Sequence, residues 1–327
     1  MDGVTVLSGG VGAARFLRGL LRVVEPTGVT AVVNVGDDAV IHGLDVSPDL
    51  DTITYTLAGA IDPDRGWGLS GETWRAMEQV RRYAAHAGIG EHDEVGNDAA
   101  GWFSLGDLDL GTHLYRTSRR RAGASLSEVT AEVASTWGLR LRLLPVSDDP
   151  VRTVLHDTAG RRLSFQEYFV RDRHEVEIAG VEVDGADHAR PAPGVIEAIR
   201  DADAVVVAPS NPAVSIGPVL AVPGVRDAVE AARDRTVAVS PIVGGAALKG
   251  PADRLLRELG HRADVVGVAR WYASLASVLV IDRVDEVLAA EVEAEGMRCV
   301  VTDTVMATPG VDAALARTCL DAVGAAT

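Results

Sequence analysis

The chain has 327 residues, of which 47% are hydrophobic and 24% are charged, and its formal net charge is −16. This composition is ordinary for a globular protein with a large core. The acidic balance argues against nucleic acid and anionic membranes as partners, because both bind to basic surfaces. An anionic small molecule would need a local positive site or a bridging metal.

The N-terminal sequence lacks the basic segment and apolar run of a signal peptide. No stretch of about 18 apolar residues is present that could cross a membrane. We therefore expect a cytoplasmic protein. Its two cysteines, Cys299 and Cys319, do not have the spacing of a zinc site, and we expect them to be free thiols.

The first elements predict a βαβ unit. An apolar strand at residues 4–7 runs into a glycine turn, and apolar residues at helical spacing follow over residues 13–24. A β-branched run at residues 30–35 predicts the second strand. Continuous apolar strands of this kind are typical of a parallel sheet whose two faces are both covered.

The middle of the chain is less regular, and the last third returns to alternating strands and helices. Helical patterns occupy residues 73–87 and 125–137, and short strands are predicted at residues 139–144, 153–156, 176–183, 204–208, 237–240, 278–282 and 299–302. No linker or internal repeat is visible. We interpret residues 1–327 as one α/β unit, a doubly wound, mostly parallel Rossmann-like sheet, with residues 62–190 as an inserted helical and β region.

The turn after the first strand contains Gly9, Gly10 and Gly12 and precedes a helix. Glycines allow backbone N–H groups to approach a ligand, and a helix N-terminus favours phosphate. The turn lacks the Gly-Lys-Ser/Thr ending of a P-loop. Alone it is equally compatible with a tight turn without a ligand, or, with Asp37 as the acidic residue after the second strand, with a nicotinamide-dependent oxidoreductase.

Aspartates follow the second strand. Asp37 and Asp38 end it, and Asp49 and Asp51 lie in a Pro-Asp-x-Asp loop before a helix. Hard oxygen ligands in loops suit Mg²⁺, which binds through one or two carboxylates and substrate phosphates. The alternative is that these aspartates cap helices and solvate turns.

Two later strand ends carry polar groups. Ser210, Asn211 and Ser215 follow one buried strand and offer hydroxyls and an amide to a phosphate or a purine edge. The sole lysine, Lys249, follows the next strand and could meet a phosphate as a point charge. A simple strand-to-helix turn and an exposed lysine are the alternatives. Since ligands of open α/β sheets bind at the carboxyl ends of the strands, we expect all these ends to meet at one edge.

Several collinear motifs resemble the 2-phospho-L-lactate transferase family of coenzyme F-420 biosynthesis, whose actinobacterial members use a phosphoenolpyruvate-derived guanosine diphosphate donor. The matching segments are residues 7–20 (LSGGVGAARFLRGL), 33–38 (VNVGDD), 47–55 (SPDLDTITY), 62–68 (DPDRGWG), 105–116 (LGDLDLGTHLYR), 144–150 (LPVSDDP), 165–169 (FQEYF), 210–218 (SNPAVSIGP) and 240–251 (SPIVGGAALKGP).

The resemblance implies a transfer to the deazaflavin 7,8-didemethyl-8-hydroxy-5-deazariboflavin. The terminal ribityl hydroxyl attacks the phosphorus that bears the three-carbon acid of enolpyruvyl- or lactyl-diphospho-5'-guanosine. GMP leaves, and (dehydro) coenzyme F-420-0 forms. Such a reaction needs charge neutralisation and positioning, which a Mg²⁺ cofactor held by Asp37, Asp49 and Asp51 would supply.

The resemblance also implies site roles. Asp51 would orient the attacking hydroxyl or accept its proton, with Asp49 as the second catalytic residue. The acceptor pocket, contributed by residues 62–190, would contain Asp51, Trp67, Thr73, Trp102, Ser104 and Glu167. Relatives can carry a lysine at the position of Ser104, which keeps a hydrogen bond but no charge. The guanosine diphosphate donor would meet the glycine turn, Ser210, Asn211, Ser215 and Lys249.

Two further alternatives stand beside this interpretation. Relatives of the gluconeogenesis-factor type bind nucleotide sugars and act in regulation, and residues 62–68, 105–116 and 165–169 argue against them. A guanine-nucleotide binder without catalysis would show affinity but no turnover. The preference for arginine over lysine favours an actinobacterial source, and by association the enolpyruvyl donor. A homodimer is expected from base rates alone.

Overall fold

The computed structural model describes residues 3–88 and 102–324. The strands, in chain order, are β1 (Val4–Ser8), β2 (Val29–Val33), β3 (Ala39–Ile41), β4 (Leu44–Val46), β5 (Arg142–Pro145), β6 (Arg152–Asp157), β7 (Arg162–Ser164), β8 (Ile178–Asp184), β9 (Ala204–Val207), β10 (Thr236–Val239), β11 (Ile242–Val243), β12 (Ala246–Ala247), β13 (Val278–Asp282) and β14 (Arg298–Thr302).

The α-helices are α1 (Gly10–Leu20), α2 (Pro48–Leu57), α3 (Arg75–His86), α4 (Asp109–Arg121), α5 (Leu126–Thr136), α6 (Val195–Asp201), α7 (Gly217–Ala221), α8 (Val225–Ala231), α9 (Ala252–Glu258), α10 (Val265–Tyr272), α11 (Ala289–Ala294) and α12 (Val311–Gly324).

Within the described residues, seven strands form a central sheet in the order β14-β13-β10-β9-β1-β2-β5. Every neighbouring pair in it is parallel. The chain moves outward from β1 through β2 to β5, then returns to the other side of β1 with β9. The reversal makes the gap between β1 and β9 the topological switch point, where ligands of such sheets bind.

Burial explains why these runs form strands. All residues of β1, β9, β10 and β13 are buried. Helices cover the sheet, with α1 packed on α2 and α12, and α6 packed on α8. A strand covered on both faces favours apolar side chains along most of its length, and Val, Ala, Leu and Ile supply them. The buried hydroxyls of Thr5 and Thr236 donate to the backbone carbonyls of Ala198 and Ala232.

The predicted fold class, a doubly wound and mostly parallel α/β sheet, is confirmed. The helix predicted at residues 13–24 begins earlier, at Gly10, because the glycine turn itself forms the first helical turn. The hairpin of β3 and β4 and the helix α4 were not predicted. In α4 the buried residues are His113, Arg116 and Thr117, so the helix lacks the apolar stripe by which a buried helix is recognised in a sequence.

Residues 62–190 do not form a single layer. The strand β5 lies in the central sheet beside β2, whereas β6, β7 and β8 form a separate antiparallel sheet. In residues 3–88 and 102–324, no helix is both long enough and apolar enough to span a membrane.

Candidate functional site

The turns after β1 and β9 touch each other at the switch point. Ser210 Oγ donates a hydrogen bond to the carbonyl oxygen of Gly9 at 2.8 Å. A Cβ on Gly12 would lie 2.2 Å from the carbonyl oxygen of Pro209, and one on Gly9 would lie 2.7 Å from Ser215 Cβ. The glycines are therefore required by close approach of the two turns. This brings Gly9, Gly12, Ser210 and Ser215 together, as expected from the strand ends.

A Gly12→Ala substitution should destabilise the protein, because the added methyl cannot fit against Pro209. Overpacking of this kind typically costs about 1–3 kcal/mol, and urea unfolding would measure the change. The matched control is Gly111→Ala on α4, where an added Cβ meets no atom within 4 Å. Equal stability of the two variants would contradict the packing argument.

Asp49 connects α2 to the ends of β1 and β2. Its Oδ1 accepts from the N–H of Gly10 at 2.8 Å, and its Oδ2 accepts from Asn34 Nδ2 at 3.0 Å. Asp49 and Asp51 do not lie in a loop, as predicted, but in the first turn of α2. Pro48 begins that helix, and the unpaired N–H groups of a helix N-terminus favour carboxylates there.

Asp37 and Asp38 follow β2 beside Asp49. Asp37 is buried and Asp38 is half-buried, and among the described residues the buried Oδ1 of each has no hydrogen-bond partner. Burial raises the pKa of Asp37 well above its usual range, and the charges of Asp49 and Asp38 raise it further. Burial also raises the pKa of Asp38 to about 8 and that of Asp49 to about 6. We call Asp37, Asp38 and Asp49 the aspartate cluster.

The carboxylate of Asp51 faces a different partner. Both of its oxygens accept hydrogen bonds from the guanidinium of Arg116 on α4, one of them at 3.1 Å. His113 Nδ1 lies 3.8 Å from Asp51 Oδ2. Sequence reasoning assigned no role to Arg116, although this residue ends the motif at residues 105–116.

A cavity of about 330 Å³ lies beside the aspartate cluster. Its wall includes Asp37 and Asp38 at one side and Arg152, Ser164 and Gln166 at the other. A second cavity, of about 180 Å³, is lined by Asp38 and Arg116. Asp38 therefore borders both spaces, and a small molecule in either one would reach the carboxylates.

The residues expected at the acceptor side have partners of their own. Ser104 Oγ accepts from Arg81 Nη2 at 2.7 Å, so α3 brings an arginine charge to this position. Thr73 Oγ1 donates to Asp107, and Glu167 pairs with Arg171 at 2.7 Å.

Two tryptophans were expected to wall the acceptor ring. The side chain of Trp67 is 46% exposed and lies under the Arg65 guanidinium, 5.4 Å from the ring centroid. Trp102 stands edge-on to Phe103, with 5.6 Å between the ring centroids. Trp67 thus offers an accessible aromatic face beside a cation.

Two of the residues expected at the donor site, Asn211 and Lys249, also have hydrogen-bond partners within the protein. Asn211 uses its Oδ1 to accept from the N–H groups of Ala213 and Val214, at 3.0 and 3.4 Å. Lys249 Nζ donates to the carbonyl oxygen of Arg65 at 3.1 Å. Burial and the charge of Arg15 lower the pKa of Lys249. The lysine thus joins the turn after β10 to the loop at residues 62–68.

Comparison with known proteins gives a consistent result. The sequence profile described as 2-phospho-L-lactate transferase CofD matches residues 4–319. The phosphoenolpyruvate transferase of Streptomyces griseus subsp. griseus is 44% identical over 322 residues, which cover 97% of each chain. That of Mycolicibacterium smegmatis is 40% identical over 335 residues, 98% of each chain.

A solved structure of a UPF0052 family member from Bacillus halodurans resembles this chain with a TM-score of 0.60 and 18% identity, and the match covers 98% of each chain. At that identity the likeness concerns the fold alone.

Proposed function

Because the chain belongs to the 2-phospho-L-lactate transferase family, we propose that it transfers a phosphoenolpyruvyl group from enolpyruvyl-diphospho-5'-guanosine to 7,8-didemethyl-8-hydroxy-5-deazariboflavin. GMP is the second product. The match over residues 4–319 carries the proposal. The name phosphoenolpyruvate transferase, borne by relatives that are 40% and 44% identical, favours the enolpyruvyl over the lactyl donor.

The proposed donor site is the switch point. The glycine turn and the N-terminus of α1 offer backbone N–H groups to a diphosphate. Ser215 and the Nδ2 group of Asn211 lie on the facing turn after β9. Lys249 adds a positive charge in a strongly acidic protein, which is where an anionic donor needs one.

The aspartate cluster has the chemistry of a Mg²⁺ site. It gathers two buried carboxylates and the half-buried one of Asp38, desolvation and mutual repulsion favour their protonation, and two of them have an oxygen without a partner in the described residues. We propose that Asp37, Asp38 and Asp49 hold Mg²⁺, which when bound would neutralise phosphate charge. Asp51 was expected in this set, but its pairing with Arg116 favours a separate role.

We assign Asp51 to the acceptor. As the ribityl hydroxyl oxygen forms its bond to phosphorus, the bond from phosphorus to the GMP oxygen breaks, and Asp51 takes the hydroxyl proton. Arg116 is then the counter-charge of this carboxylate. Arg81, held by Ser104, and Trp67 are proposed to line the planar ring. A cytoplasmic homodimer stays our expectation for compartment and assembly.

An assay by mass spectrometry tests the reaction. Purified protein, Mg²⁺, the deazaflavin and enolpyruvyl-diphospho-5'-guanosine are mixed, and GMP and the phospho-adduct are quantified with and without EDTA. We expect both products in equal amounts and only with the metal. No adduct from this donor or the lactyl form, with folded protein, would overturn the function. Equal turnover in EDTA would contradict only the proposed requirement for Mg²⁺.

Replacing Lys249 by methionine should raise the donor KM by about tenfold and leave the acceptor KM unchanged. One lost charge-assisted contact to a phosphate is worth roughly 1.5 kcal/mol, which corresponds to that factor. Arg140→Met is the matched control, because Arg140 is an exposed cation paired with Glu25 on the surface. A change confined to the acceptor KM would remove Lys249 from the donor site.

A further inference from the structure

Helix α4 presents a polar stripe to α2. Asp109, Thr112, His113 and Arg116 recur at the spacing of one helix face, and His113 and Arg116 are 1% and 3% exposed. Charged groups are almost never buried this deeply unless they are paired. The side chains of this stripe therefore need polar partners, and Asp51 and Tyr55 on α2 supply them.

The guanidinium of Arg116 is fixed by several contacts at once. Besides both oxygens of Asp51, its Nη1 donates to the carbonyl oxygen of Asp45 at 3.3 Å and lies 3.2 Å from His113 Nδ1. A planar fork held from several sides cannot rotate, so it imposes one orientation on the Asp51 carboxylate. A lysine could supply the charge at this position but not the fork.

The support behind Arg116 returns to α2. His113 Nε2 lies 3.2 Å from Asp109 Oδ2, and Asp109 Oδ1 accepts from the hydroxyl of Tyr55 at 2.6 Å. Tyr55 stands one helical turn after Asp51 on α2. The chain of contacts thus begins and ends on the same helix, and it braces the first turn of α2 against α4.

We propose that Arg116 is the positioning residue of the transfer, which holds the carboxylate of Asp51 in the orientation that receives the acceptor hydroxyl. This inference rests on the proposed function. A buried ion pair is weak support for folding stability, because the desolvation of both charges offsets their attraction. A bidentate pair whose arginine lines the 180 Å³ cavity is therefore better explained by what it does to Asp51.

The test compares Arg116→Lys with Arg119→Lys. Arg119 lies on the same helix and also binds a carboxylate with two nitrogens, on Glu132, but on the surface. Circular dichroism and melting temperature confirm that each variant is folded. We expect Arg116→Lys to lower kcat by about 10–100-fold with the donor KM unchanged, since small misplacement of a reacting group has effects of that size. Arg119→Lys should change neither constant.

The affinity for the acceptor can be measured by deazaflavin fluorescence even in a variant that has lost turnover. Arg116→Lys should weaken acceptor binding about tenfold in the wild-type chain and by less than twofold in the Asp51→Asn chain, because the group it positions is gone. Equal weakening in both backgrounds, or kcat within threefold of wild type, would overturn the inference.

Two checks keep the result interpretable. If Arg116→Lys does not fold, Tyr55→Phe removes a single hydroxyl from the same chain of contacts. It should weaken acceptor binding about threefold and leave donor binding intact, and unchanged acceptor binding would count against the proposal. Absence of turnover by the wild-type protein would contradict both the proposed function and the role of Arg116. Normal wild-type turnover together with an unaffected Arg116→Lys variant would contradict only the role of Arg116.

Discussion

Asp51→Asn is expected to lower kcat by a factor of about 10²–10⁴, the usual contribution of a positioned general base. Asparagine keeps the shape of the side chain but cannot take a proton from the acceptor hydroxyl. It also leaves Arg116 buried without a counter-charge, which costs roughly 3–5 kcal/mol in comparable pairs. Turnover must therefore be measured well below the melting temperature of the variant.

Asp312→Asn separates the two effects. Asp312 is a buried aspartate paired with Arg18 and Arg22, and it packs against the end of α1 away from the switch point. Its replacement should lower stability while kcat stays within about twofold of wild type. A similar loss of kcat in both variants would mean that the defect of Asp51→Asn comes from folding, and Asp51 would lose its assigned role.

The second large expected effect is a dependence of folding stability on pH and on Mg²⁺. A carboxyl group whose folded pKa is raised keeps its proton at a pH where the unfolded chain has already lost it. The contribution of the metal-free aspartate cluster to folding stability is therefore most favourable below about pH 4, and it becomes less favourable as the pH rises towards 8, where Asp38 ionises. For Asp49, with a pKa of about 6, the loss is roughly 3 kcal/mol at 1.36 kcal/mol per unit.

If the aspartate cluster holds Mg²⁺ as proposed, the metal should reverse this loss, because it would bind the ionised carboxylates of the folded state. We expect urea unfolding in EDTA to show lower stability at pH 8 than at pH 5, and millimolar Mg²⁺ to restore it at pH 8. NaCl of equal ionic strength controls for screening of the net charge. Asp38→Asn should show a shallower pH dependence and a weaker response to Mg²⁺. Identical curves for wild type and Asp38→Asn would exclude the cluster as the source.

The fold could be predicted from the sequence because the signal is local. A strand buried on both faces is mostly apolar, so the runs that became β1, β9 and β13 were visible without any knowledge of their neighbours. Their shared edge followed from the rule for open parallel sheets. The glycine turn and Ser210 accordingly meet where the strand ends predicted.

The arrangement around Asp51 could not be predicted in the same way. Its partner Arg116 is 65 residues away in the chain and lies on a helix whose buried face is polar. Periodicity of apolar residues cannot detect such a helix, because its buried face carries no apolar stripe. The same holds for Arg81, whose contact with Ser104 depends on how α3 packs rather than on any pattern in its own sequence.

The place of β5 has a consequence for the evolution and engineering of this protein. The strand β5 belongs to residues 62–190, yet it pairs with β2 in the central sheet. Residues 62–190 therefore cannot be deleted or exchanged as one independent unit. A chimaera that took all of residues 62–190 from a distant relative would have to rebuild the sheet edge, and a deletion would expose β2 to intermolecular strand pairing. Exchange of segments between relatives should therefore proceed through shorter grafts that leave β5 in place.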